Sequence, residues 1–157
     1  MKKITLEVVV VVLLFVISVS NLNAQDLLRK VSLEQQIENS TMVVEGKVIS
    51  KKSFWDAENK HIYTANTIAV YKVFKGEPVA TIEVITPGGT VGLSGEMVSH
   101  SLKLQNDAIG IFTLYPSNIQ MKASEKSTIK QFKPYGSSQG FYKYNLDENV
   151  AANTFNK

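Results

Sequence analysis

Between Thr41 and Gly76 the chain reads TMVVEGKVISKKSFWDAENKHIYTANTIAVYKVFKG, two long strand-like segments joined by a polar turn. A strand sends successive side chains to opposite faces, so a period of two shows which face meets a core. From Met42 to Ser50, Met42, Val44, Gly46 and Val48 share one face; Val43, Glu45, Lys47 and Ile49 share the other. A glycine on the apolar face predicts a bend or the close approach of another backbone, as at a barrel corner. Phe54 to Lys60 reads as a hairpin tip with aromatic shoulders, and Ile62 to Phe74 as the longest strand. Ile68 and Val70 face one way while Val73 has the opposite parity. A bulge near Tyr71-Lys72 would return Val73 to the core and bend the sheet towards closure.

The remaining segments are shorter. Thr81 to Thr86 is expected as a strand with Ile82 and Val84 inward, and Met97 to Leu104 as a short strand or extended loop. Asn106-Asp107 marks a turn before Ala108 to Tyr115, an apolar run suited to a central strand. Ser117 to Gln139 interleaves Lys122, Lys126, Lys130 and Lys133 with Ser, Thr and Gln. Its strong apolar anchors are Ile119, Met121, Ile129 and Phe132, and it reads as a long surface excursion. Phe141 to Asn145 is expected as the last strand, with a polar, frayed end beyond it. Ahead of the strands, Ser32 and Gln35 form a capping-box pattern, and Leu33 and Ile37 share a helix face. A helix so short needs packing to persist and is expected as a lid over the sheet. The fold class is therefore mainly β, a small antiparallel, partly open barrel with a short N-terminal helix. The division is a helical segment at 25–40, a barrel domain at 41–146 with the excursion at 116–140, and a flexible tail at 147–157.

The first 24 residues have the form of a secretory signal peptide: Lys2 and Lys3, an apolar run from Val8 to Val19, then Asn21-Leu22-Asn23-Ala24 before Gln25. An uncleaved anchor competes with this reading, but the apolar run is shorter than the roughly 20 residues a bilayer requires. No Cys follows, so a lipid-anchored form is excluded. Cleavage would remove two of 17 basic and one of 14 acidic residues, leaving a net charge of about +2. That balance predicts no polyanionic partner; with the signal peptide cleaved, no membrane span is expected. Zero cysteines in an exported chain excludes disulfide and thiolate chemistry. The expected location is secreted or periplasmic.

Pro87 to Gly95 holds four of the nine glycines. Gly88, Gly89 and Gly92 free backbone N–H groups to converge on a ligand, with Thr90 and Ser94 adding hydroxyls. A phosphate loop needs a helix start with Lys-Ser/Thr, and Leu93-Ser94-Gly95-Glu96 follows instead. The alternative is a loop whose glycines serve tight turns. His61 and His100 are the only imidazoles; Asp56 lies near His61 across the hairpin tip, beside Trp55. No G-x-S-x-G elbow is present, and Gly92 to Gly95 is one residue short of it. A zinc site usually wants three or four ligands, so neither a metal nor another cofactor is expected. Phe54, Trp55, Tyr63 and Tyr71 form either an outer aromatic platform or a satellite core beneath the hairpin. Nucleic acid is excluded by export and near-neutral charge.

Val44-x-Gly46-x-Val48, Trp55-Asp56, Tyr63-Thr64, Lys75-Gly76 and Pro87-Gly88-Gly89-x-x-Gly92 together resemble a domain of uncharacterised secreted bacterial proteins. Met42 to Gly76 is also similar to the opening strands of netrin-like modules, among them the inhibitory domain of tissue inhibitors of metalloproteinases. That likeness implies an OB-type or netrin-like barrel. It also implies an inhibitor whose N-terminal cysteine chelates a target's zinc, and here Gln25 stands at the expected N-terminus of a chain without cysteine. The expected function is a secreted, non-catalytic binding or accessory module whose partner is an extracellular protein or envelope ligand. Its candidate contacts are Trp55, Asp56, His61, Gly88, Gly89, Gly92 and His100, with no catalytic residue assigned. The alternatives are a His- or metal-dependent hydrolase and a protease-associated domain, including a fragment of a longer secreted protein.

Overall fold

The computed structural model describes residues 29–125, 127–145, 147–153 and 155, so the expected signal peptide lies outside the described residues. Helix α1 (Leu33–Asn39) precedes nine strands: β1 (Met42–Trp55), β2 (Ile62–Lys75), β3 (Thr81–Pro87), β4 (Gly89–Val91), β5 (Ser94–Glu96), β6 (Ile109–Pro116), β7 (Gln131–Pro134), β8 (Phe141–Asn145) and β9 (Val150–Ala152). In the main sheet β1, β2, β3, β7 and β6 follow one another, and β6 pairs back onto β1. These five strands close a ring in which only the β3–β7 pair is parallel. β8 and β9 extend the sheet from β6. The ring is open at one end because β6 covers β1 only from Met42 to Lys47, whereas β2 follows β1 to Trp55. The expected mainly β, partly open barrel is the fold observed.

Closure depends on three irregularities in the β1–β2 ladder. The register steps from Val43↔Lys75 to Val44↔Val73, from Glu45↔Lys72 to Gly46↔Val70, and from Val48↔Ile68 to Ser50↔Thr67. The residues passed over are Phe74, Tyr71 and Ile49, and each is half or more exposed. An unpaired residue in a ladder bends the strand and raises its twist, which curls a sheet into a barrel. The bulge at Tyr71 brings Val73 against the core, as the parity of β2 predicts. Ile49 does the same on β1, and the inward set changes from Val44 and Val48 to Lys51. Gly46 sits at the tightest point: a Cβ there would lie 2.6 Å from the Ala69 carbonyl oxygen and 2.7 Å from Ile68 Cγ2. Its partner across β6 is Gly110.

Val44, Val48, Ile68, Ile82, Val84, Phe112 and Leu114 fill the barrel. Leu102 and Leu104, from the connection before β6, plug it from one side, and the Phe112 and Phe141 rings stack at 4.5 Å. On the outer face Phe54, Ala65 and Ile85 form a second cluster with Tyr63, Ile119 and Met121 packed on it. Thus 116–140 is more than an excursion. Its first part covers this second cluster, with Met121 bridging to Asp56, and its last part is β7, whose Phe132 is buried. A four-residue strand with two buried positions has too few periods to be read from sequence. The 147–157 tail likewise contributes β9, paired with β8.

Ser32 caps α1, accepting from the Gln35 N–H at 3.3 Å, as the pattern predicts. The buried face is not the expected one: Leu33 and Ile37 are exposed, and Gln36 is fully buried. Gln36 accepts from Thr113 Oγ1 on β6 at 3.2 Å and donates to the Val31 carbonyl at 3.1 Å. Two apolar residues on a seven-residue helix are outweighed by one amide that satisfies two buried groups. Among the described residues no helix is long and apolar enough to cross a membrane.

Candidate functional site

The hairpin β4–β5 folds back over the end of β1–β2, and a few polar contacts lock it there. Glu96 on β5 accepts the Ile62 N–H on Oε2 at 2.6 Å, and its Oε1 lies 3.1 Å from His61 Nδ1. The Gly88 N–H donates to the Ile62 carbonyl at 2.8 Å, and the Thr90 N–H to Ser53 Oγ at 3.3 Å. The N–H of Ile62, then the His61 ring, hold the Glu96 carboxyl below its ordinary value, because both contacts favour the charged form. Gly89 makes the approach feasible: its φ is 143°, and a Cβ there would collide with Ser53 and Thr64. Gly92, at φ 59°, starts the two-residue turn between β4 and β5, and a Cβ added there would meet open space. These glycines therefore serve a tight hairpin, and none of the described contacts makes them an anion cradle.

Asp56 organises the β1–β2 turn. Its Oδ1 accepts the Lys60 N–H at 2.8 Å, and its own N–H donates to the His61 carbonyl at 2.9 Å. Burial pushes its carboxyl up, but the backbone N–H groups of Lys60 and His61 outweigh that and hold it down. Trp55 is half-buried opposite Ile62. The aromatic platform does not form. Phe54 and Tyr63 stack at 6.1 Å as part of the second core, and Tyr71 stands at its bulge further along β2. Burial first, then the Asp56 and Glu96 carboxylates, push the Tyr63 phenol up.

The two histidines are not brought together. His61 is anchored on Glu96, whereas His100 occupies a left-handed turn at φ 58° and offers its carbonyl to Ser137 Oγ at 2.6 Å. Among the described residues no hydroxyl is bonded to His61 Nε2, and no group of three or more His, Cys, Asp or Glu side chains could hold a metal.

Beneath the hairpin lies a cleft of about 490 Å³; Gly88 and Gly89, candidates from the sequence, line it, and its remaining lining residues were not among those candidates. Lys51 of β1, Thr64 and Asn66 of β2 and Thr86 of β3 form its floor; Met97, Val98, Leu102 and Lys103 line the other side. Asn66 lies two residues from Ile68, and Thr86 two from Val84, each on the inward parity of its strand. The signal was therefore present: polar residues in register with the core mark where the barrel interior turns wet. Recognising it required knowing that the barrel is open at that end.

The class this fold defines is a small, partly open β-barrel bearing a surface hairpin over a polar mouth. Comparison with family models, curated proteins and solved structures finds no match.

Proposed function

We propose that the protein is a non-catalytic binding module of the secreted or periplasmic space, and that its partner is a protein of the cell envelope. One observation carries this reading. The β1–β2 turn and the Gly-rich hairpin, about 30 residues apart, form a single face through Glu96, and that face presents two large apolar side chains, Leu93 and Met97. Leu93 is wholly exposed at the tip of a hairpin held by four polar contacts, and Met97, 84% exposed, directly follows that hairpin. Apolar anchors preorganised on a rigid support suit insertion into a partner's pocket, because little ordering entropy is lost on binding. His61, Asp56 and Lys60 form the polar rim of the same face.

The test is chemical cross-linking to envelope proteins of the source cell, comparing the native protein with a Leu93→Asp, Met97→Asp variant. A specific cross-linked species that disappears in the variant supports the reading. The same species at equal yield from both proteins refutes it. A His-dependent hydrolase rests on the His61–Glu96 pair, and unchanged hydrolysis by a His61→Ala, His100→Ala variant would reject it. A protease-associated role rests on the netrin-like resemblance of Met42 to Gly76 alone.

A further inference from the structure

Asn66 is completely buried, yet its Oδ1 has no hydrogen-bond partner. The orientation of the amide is set by its surroundings. Nδ2 lies 2.8 Å from the Val84 carbonyl, 3.2 Å from the Thr64 carbonyl and 3.1 Å from Thr86 Oγ1. Main-chain carbonyls only accept, so the NH₂ must face them and the oxygen is the atom left over. Buried polar atoms are almost always satisfied; Asn66 lines the cleft, and since its oxygen is itself closed to solvent, a donor entering the cleft meets it only with a small shift of the lining.

Lys51 is the direct cross-strand neighbour of Asn66 and lines the same cleft. Its ammonium gives one proton to the Leu104 carbonyl at 2.6 Å and has two more to offer. Lys103 adds a second cation to the lining. The one carboxylate there, Glu96, is already engaged by Ile62 N–H and His61. The cleft therefore lacks two things: a donor for Asn66 Oδ1 and an anion for Lys51. Met97, Val98 and Leu102 supply apolar wall for a carbon skeleton.

We propose that this cleft binds a small polyhydroxylated carboxylate of the sugar-acid class. A hydroxyl donates to Asn66 Oδ1, and the carboxylate accepts from Lys51. A volume of about 490 Å³ lies within the range of small-molecule sites and admits a molecule of monosaccharide size. The cleft shares Glu96 and Met97 with the protein-binding face, but Leu93 lies outside its lining, and the proposal does not depend on the protein-binding reading.

The experiment is an amide NMR titration of the full chain with three probes: D-glucuronate, D-glucose and acetate. D-Glucuronate is expected to give saturable shifts at the Asn66 side-chain amide and at Thr64 and Leu102. D-Glucose, without the carboxylate, and acetate, without the hydroxyls, are each expected to bind at least about tenfold more weakly. Lys51→Met, at an exposed position but giving up the bond to the Leu104 carbonyl, is expected to cost at least about tenfold for D-glucuronate and nothing for D-glucose. No saturable shift by about 10 mM D-glucuronate overturns the proposal, as does equal binding of D-glucose or an unaffected Lys51→Met variant. Leu93→Asp is expected to bind D-glucuronate normally, so failure at the tip and failure at the cleft are seen separately.

Discussion

Gly46→Ala tests the reading of barrel closure most directly. The added methyl would lie 2.6 Å from the Ala69 carbonyl oxygen and 2.7 Å from Ile68 Cγ2. Neither neighbour yields easily, since one is main chain in β2 and the other belongs to a fully buried side chain. Relief requires β1 and β2 to separate beside the bulge at Tyr71. Overpacking of this kind costs about 1–3 kcal/mol. Loss of glycine's freedom in the unfolded chain returns about 0.4–1 kcal/mol. The net expectation is destabilisation by about 1–2 kcal/mol, or a fall in Tm of about 2–8 °C. Urea unfolding followed by Trp55, the single tryptophan, reads the change at the far end of the same strand pair. Gly95→Ala is the control: the nearest atom to its Cβ is 3.8 Å away, and a change below about 0.5 kcal/mol is expected. If Gly46→Ala proves as stable as the native protein, the close approach at Gly46 does not govern closure.

Three other perturbations probe the site and its supports. The folded Glu96 carboxyl lies below its ordinary value of 4.5, so its contribution is present above that value and is lost as pH falls from there through the folded value. Hydrogen exchange at the Ile62 N–H, corrected for intrinsic rate, should therefore accelerate on acidification in the native protein and lose that dependence in Glu96→Gln. Gln139 accepts the Val31 N–H at 2.8 Å and donates to the Arg29 carbonyl at 2.9 Å, so Gln139→Ala should cost about 1–3 kcal/mol in urea unfolding. Equal stability would show that solvent replaces those bonds without loss. Asn66→Asp sets a carboxylate against the Val84 and Thr64 carbonyls, with an expected cost of about 3–5 kcal/mol at neutral pH. Because burial raises that carboxyl, stability should recover as pH falls, and a pH-independent loss would contradict the account.

Much of the barrel was legible because β1, β2 and β6 are long enough to display a period. Met42 to Val48 alternates cleanly, Gly46 stands out against it, and the parity break at Val73 announces the bulge at Tyr71. The capping box at Ser32 was equally plain. The buried face of α1 was not, since the choice between Gln36 and Leu33/Ile37 depends on whether Thr113 waits opposite with an unpaired hydroxyl. β7 and β9 escaped for want of length: β7 gains its pairing from β3 and β6, which lie further back in the chain, and β9 is a three-residue strand paired with the adjacent β8.

The candidate site divides in the same way. Trp55, Asp56, His61 and Gly88 to Gly92 are unusual residues in turn-forming company, so they stand out locally. Glu96, Asn66 and Lys51 do not; each is an ordinary polar residue until the fold gives it a role. By itself the sequence determined strands, turns, bends and an even charge balance, all set by neighbours a few positions apart. Only the tertiary structure decided that Glu96 ties the hairpin to His61 and Ile62, and that Asn66 ends with an unmet acceptor beside Lys51. Those outcomes depend on which segments meet when the ring closes, and the partners involved lie about 15 to 35 residues apart along the chain.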